Sequence, residues 1–76
     1  MSNKRRKEIS NIITQLEEIT LLVEESITCD VDVYNSLSEA LQTSEKGDKI
    51  NEAIGNLEMA QNAVEEAVDY LTKSHR

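Results

Sequence analysis

The sequence predicts an all-α fold: an antiparallel helical hairpin with a short connecting helix, assembling into an oligomeric helical bundle. Three observations lead there. Ile50, Leu57, Val64 and Leu71 recur every seven residues, and Ala53, Ala60 and Ala67 follow three places after the first three of them. That is an a/d heptad seam with a large residue at a and alanine at d. Earlier in the chain Ile9, Ile12, Leu16, Ile19 and Val23 repeat at spacings of three and four, a second seam. The composition also suits helices and is poor for sheets: there is no proline, two glycines, and Tyr34 and Tyr70 are the sole aromatics.

Taken in order, the elements are a long helix at about 4–28, a short helix at about 37–43 and a long helix at about 45–73, in one domain. Ser2 or Asn3 can cap the first helix. Ile13 and Ile27 widen its apolar stripe on one side and Leu22 on the other, a face broader than one partner helix needs. Leu21 points away from that stripe, and a lone exposed leucine is ordinary. From Cys29 the pattern changes, and Asp30-Val31-Asp32-Val33-Tyr34 alternates polar and apolar like a strand. No second strand exists to pair with it, so the expectation is that the first helix ends between Ile27 and Asn35. Ser38-Glu39-Ala40-Leu41-Gln42 then makes a helical turn capped by Asn35, Ser36 or Ser38, with Leu37 and Leu41 plugging the open end of the hairpin. Ser44 caps the last helix, and Glu45 and Asp48 suit its positive end. Gly47 and Gly55 each cost about 1 kcal/mol relative to alanine, which close approach of a neighbouring backbone would justify.

Seventy-six residues make a thin single domain. Folds of this size retain only about 3–5 kcal/mol and lean on staples or self-association. Cys29 is the single cysteine, so no disulfide closes within the chain; it reads as a small half-buried residue in a reducing compartment. Self-association is therefore expected, through an interface of Ile13, Leu22, Ile27, Met59, Ala63 and Tyr70. Lys4-Arg5-Arg6-Lys7 looks like the start of a signal peptide, but Glu8, Gln15, Glu17 and Glu18 interrupt what would be its apolar part. The aliphatic cluster from Ile19 to Val23 is far short of the roughly 20 residues that span a bilayer. These features predict a soluble cytoplasmic protein without a membrane partner.

Charge is unevenly placed. The chain carries 8 basic and 15 acidic residues, net −7. Lys4, Arg5, Arg6 and Lys7 begin it and Lys73, His75 and Arg76 end it, so residues 8–72 hold Lys46 and Lys49 against all fifteen acids. A hairpin gathers the terminal cations at one pole of an acidic rod. Glu65, Glu66 and Asp69 can offset them, at about 0–1 kcal/mol per exposed pair. Four cations in a first helical turn nevertheless oppose the helix dipole, a local rule broken without visible gain. The functional alternative is an anion site, for a phosphate or nucleotide, made by Arg5, Arg6, Lys7, Tyr70 and Lys73, with Tyr70 as a stacking surface.

Groups suited to catalysis do not converge. The single histidine is next to the C-terminus, no histidine lies a helical turn from Cys29, and no Glu-x-x-His pair or phosphate-cradling glycine loop occurs. No catalytic residue, metal or cofactor is expected. An isoelectric point near 4.5 disfavours duplex DNA as a partner. It allows the opposite, an acidic rod that imitates DNA.

The run Asn35-Ser36-Leu37-Ser38-Glu39-Ala40-Leu41-Gln42-Thr43-Ser44-Glu45-Lys46-Gly47-Asp48-Lys49 resembles the hinge of small helical accessory proteins encoded by phages and prophages of Gram-positive bacteria. The resemblance continues through Glu52-Ala53-Ile54, Asn56-Leu57-Glu58 and the segment from Val64 to Leu71, and Arg6-Lys7-Glu8-Ile9 matches the usual start. Such relatives often carry proline where Ser38 stands here. The resemblance implies a phage accessory protein in the infected cell, of a class that includes counter-defence inhibitors of host proteins and sponges for nucleotide immune signals. A purely structural assembly role is the remaining alternative.

Overall fold

A computed structural model describes residues 2–74 and is helical nearly throughout, with no strand among the described residues. Two long helices, α1 (Asn3–Ser36) and α3 (Glu45–Ser74), pack along each other and are joined by the short α2 (Glu39–Gln42). The described chain is a rod of 58 × 15 × 12 Å.

Ser2 caps α1, its Oγ accepting from the Arg5 backbone N–H at 3.2 Å. The helix then runs for 34 residues, past the end expected near residue 28. Asp30, Val31, Asp32 and Val33 are poor helix formers at up to about 0.7 kcal/mol each. No glycine or proline interrupts them, however, and the half-buried Ile27 and Tyr34 on either side pack as one helical row. Packing overrides the weak local preference. Leu37 and Ser38 are extended and end the helix, and the Leu37 N–H returns to the Tyr34 carbonyl at 3.1 Å.

The corner is tied by its own polar groups. Ser38 Oγ accepts from the Leu41 N–H at 3.4 Å, and Gln42 Nε2 donates to the Tyr34 carbonyl at 3.1 Å, fastening α2 to the end of α1. Ser44 immediately precedes α3, but its hydroxyl donates backwards to the Leu41 carbonyl at 2.5 Å; the forward bond is from the Asp48 N–H to the Ser44 carbonyl, at 3.0 Å. Of the two proposed plugs Leu37 is half-buried, whereas Leu41 is 43% exposed.

The seam between the long helices differs from the expected one by one residue on each. On α1 the inward row is Ile9, Ile13, Leu16, Thr20, Val23, Ile27, Asp30 and Tyr34; on α3 it is Ile50, Ile54, Leu57, Gln61, Val64, Val68 and Leu71. Ile12 and Ile19 are 44% and 43% exposed, and Ala53 and Ala60 are exposed. Ile13 and Ile27, expected at a subunit interface, lie instead inside the helix pair. The seven-residue repeat of Ile50, Leu57, Val64 and Leu71 is shared by both registers. Choosing Ile54 and Val68 over Ala53 and Ala67 puts more apolar area out of water, which decides it. Glu24 meets Gln61, and Glu17, Thr20 and Leu21 share a groove with Glu65 and Val68, so rising numbers on α1 face falling numbers on α3.

Besides Asp30 and Tyr34 near the corner, the seam has two polar positions. Thr20 spends its hydroxyl on the Leu16 carbonyl at 3.0 Å, and Gln61 Nε2 donates to Glu24 Oε1 at 3.1 Å across the pair. The second bond is exposed to solvent, so it contributes little. Gln61→Leu is expected to stabilise the fold by about 1 kcal/mol. A rise in melting temperature of about 4–8 °C, followed by circular dichroism, checks it.

Candidate functional site

Seven-residue rows sort the surface, because two turns of a helix paired in this way return a side chain to the same flank. One flank carries Ile12, Ile19, Ser26 and Val33 from α1 beside Ala53, Ala60 and Ala67 from α3. The opposite flank carries Ser10, Glu17, Glu24 and Val31 beside Asn51, Glu58, Glu65 and Thr72. One broad side is apolar and small, and the other is acidic.

Leu21 stands out on the acidic side. It is 60% exposed and forms the ridge between two shallow grooves. Glu17, Thr20, Glu65 and Val68 line one; Glu24, Glu25, Thr28 and Cys29 line the other. Thr28 is satisfied by the Glu24 carbonyl at 3.1 Å, and the four carboxylates of the two grooves are exposed. An isolated leucine needs no explanation, but a leucine framed by carboxylates on both sides is an apolar anchor within a negative field. Its exposure is legible in the sequence; its place on the Glu65 side of the pair is not. Cys29, expected to be half-buried, is exposed. Its row, with Gln15 and Leu22, lies beyond the apolar flank and away from the seam.

The five residues proposed as an anion site occupy different rows. Arg5 continues the Ile12 row, Arg6 the seam row of Ile13 and Ile27, and Lys7 the outward row of Leu21. Tyr70 shares a row with Ala63, and Lys73 one with Met59, both turned away from α1. Extending the register along the rod places Lys73 near Ile12, so Arg5, Arg6 and Lys7 overhang it by about 8–10 Å. Arg5 pairs with Glu8 at 3.0 Å and Lys73 with Asp69 at 2.8 Å, each within its own helix. The Lys73 ammonium also sits 5.6 Å from the Tyr70 ring centroid. Within one chain, then, the five share an end of the rod but not a face. His75 and Arg76, also assigned to that pole, lie outside the described residues.

Of the residues assigned to a subunit interface and not absorbed by the seam, Leu22, Met59 and Tyr70 are 61%, 70% and 64% exposed, and Ala63 is exposed. Among the described residues no helix is long and apolar enough to cross a membrane. The architecture is that of a long helix pair with chemically opposite sides. No protein-family model, curated protein or solved structure matches the chain.

Proposed function

We propose that this chain is a non-catalytic accessory protein that acts by stoichiometric binding, as an antiparallel hairpin within an oligomeric bundle. Its target is a host protein with a cationic surface, and its role is counter-defence in the cytoplasm of a phage-infected cell. The phage setting rests on the resemblance carried by the hinge residues Asn35 to Lys49. The binding mode rests on one observation: Leu21, 60% exposed, stands between Glu17 and Glu65 on one side and Glu24 and Glu25 on the other. A basic partner would be steered by the carboxylates and held by burial of the leucine. DNA-binding proteins, whose clefts are cationic, are one such class of target.

A tagged chain passed through host lysate is expected to retain one basic protein. In 1 M salt, where the Debye length falls to about 3 Å, that protein should elute. Leu21→Ala should weaken the complex about tenfold or more, the loss typical of truncating a central anchor. Equal retention by the Leu21→Ala chain, or elution that ignores salt, would refute this reading. A second reading is capture of an anionic nucleotide by Arg5, Arg6, Lys7, Tyr70 and Lys73. It draws support from the start of α1, where Lys4, Arg5, Arg6 and Lys7 follow one another and the first turn has no acidic residue. Calorimetric titration with cyclic dinucleotides separates the two, since only this reading expects binding that Arg5→Glu/Arg6→Glu abolishes.

A further inference from the structure

We infer that the apolar flank is covered by a second copy of this chain, stacked so that the two-fold axis runs along the rod. The inference deepens the oligomeric part of the reading above and is independent of the identity of any host target.

Three observations carry it. The first is area. The chain exposes 5622 Å², about 900 Å² more than the roughly 4,700 Å² expected for a folded monomer of its mass. A stable two-protein interface buries about 800 Å² on each partner. The surplus is close to what one such interface removes. The second is chemistry. Ile12, Ile19 and Val33 are 44%, 43% and 48% exposed in one straight row. From residue 8 to 72 no carboxylate falls on that row or on the Ala53 row beside it, whose one amine, Lys46, stands at the far end beyond the level of Val33. A charged partner of the kind that suits the opposite flank finds nothing to pair with there.

The third is size complementarity, which selects the orientation. Within one subunit the large row of α1 and the small row of α3 run side by side at matching levels: Ile19 beside Ala67, Ser26 beside Ala60 and Val33 beside Ala53. A two-fold axis along the rod exchanges the two helices without changing level. Each isoleucine row then lies on an alanine row: Ile19 on Ala67 of the partner subunit, Val33 on Ala53 of the partner subunit. Large meets small at the Ile19 and Val33 layers, with Ser26 on Ala60 of the partner subunit between them, so the two helix spacings stay equal across the face. The other face-to-face stacking, with the axis across the rod, sets the Ile12 end against the Val33 end of the same row. Alanines then face alanines, and the two gaps are unequal. The chosen stacking also brings both Lys4-Arg5-Arg6-Lys7 turns to one end. Their repulsion acts through solvent with a screening length of about 8 Å at physiological salt, so added salt should tighten this dimer.

Sedimentation of the whole chain is the first test, with a mass twice 8.6 kDa expected at micromolar concentration. Ala60 is exposed within one chain, so Ala60→Glu meets only solvent there. It should nevertheless raise the dimer dissociation constant by about 100-fold, as expected for a buried unpaired charge. Asn51→Glu, on the opposite flank, should leave the mass unchanged. Orientation is read without disturbing the face, by spin-labelling Glu39→Cys in a Cys29→Ser background. Labels at the same end should lie within about 30 Å, whereas the crosswise stacking puts them more than about 40 Å apart. A helical monomer, a trimer or larger assembly, an Ala60→Glu dimer as tight as wild type, or a long label distance would each overturn the inference.

Discussion

Ile9→Ala is expected to leave the chain largely unfolded at room temperature. Ile9 is 7% exposed and is the one buried apolar side chain among the described residues; the rest of the seam is half-buried. Truncating a buried isoleucine costs about 2–5 kcal/mol, from lost transfer energy and the cavity left behind. A single-domain chain of this size retains about 3–5 kcal/mol in all, so one substitution removes most of it. The measurement is helical circular dichroism against temperature at fixed protein concentration. Leu22→Ala is the control: Leu22 is 61% exposed, and a surface change away from special features stays within about 0.5 kcal/mol. If Ile9→Ala melts within a few degrees of wild type, the seam described here is not what holds the helices together. Concentration gives the result a second use. A dimer adds stability by mass action, so the wild-type melting temperature should rise with concentration.

The same residues show how far the sequence could be read. The existence of two long helices follows from apolar spacing and the lack of proline, and the corner in the thirties and forties was marked by its serines, threonines and Gly47. What spacing could not decide was the register of the seam. Ile50, Leu57, Val64 and Leu71 are compatible with a second row at Ala53, Ala60 and Ala67 or at Ile54, Gln61 and Val68. Only the docked pair shows that Ile54 and Val68 turn inward, because the rule that settles it is buried area and not periodicity. The one-residue shift moves Ile12 and Ile19 outward and Ile13 and Ile27 inward, and it turns Ala53 and Ala60 from core into surface while Ala67 stays half-buried. The anion site met the same limit. Sequence reports that Arg5, Arg6, Lys7, Tyr70 and Lys73 share an end of the rod, but their separation onto different rows depends on which face of each helix is turned to the other. The length of α1 escaped for another reason: Asp30-Val31-Asp32-Val33 has weak helical preference, and the support that keeps it helical comes from across the pair.

The two glycines of α3 are expected to respond in opposite directions to the same substitution. Gly47 is buried where α3 begins. A Cβ there would lie 2.6 Å from the Gln42 carbonyl carbon and 2.7 Å from the Leu41 carbonyl oxygen, with the Gln42 oxygen also in the way. These are backbone atoms of α2, held by the Gln42–Tyr34 bond and the Ser44–Leu41 bond, so they cannot step aside as a side chain can. Overpacking typically costs about 1–3 kcal/mol, and a clash with fixed backbone belongs at or above the upper end. Gly47→Ala should therefore lower the melting temperature by at least about 10 °C, at the 4–8 °C per kcal/mol typical of small domains. Gly55 has no atom within 4 Å of the position a Cβ would take. Gly55→Ala places a better helix former in an open helical site and restricts the unfolded chain, raising stability by about 0.5–1 kcal/mol. Parallel melts of the two variants decide the matter, because helix propensity alone would have both alanines stabilise. If Gly47→Ala also rises, α2 does not pack on α3 as described, and the corner that sets the two long helices side by side must be built differently.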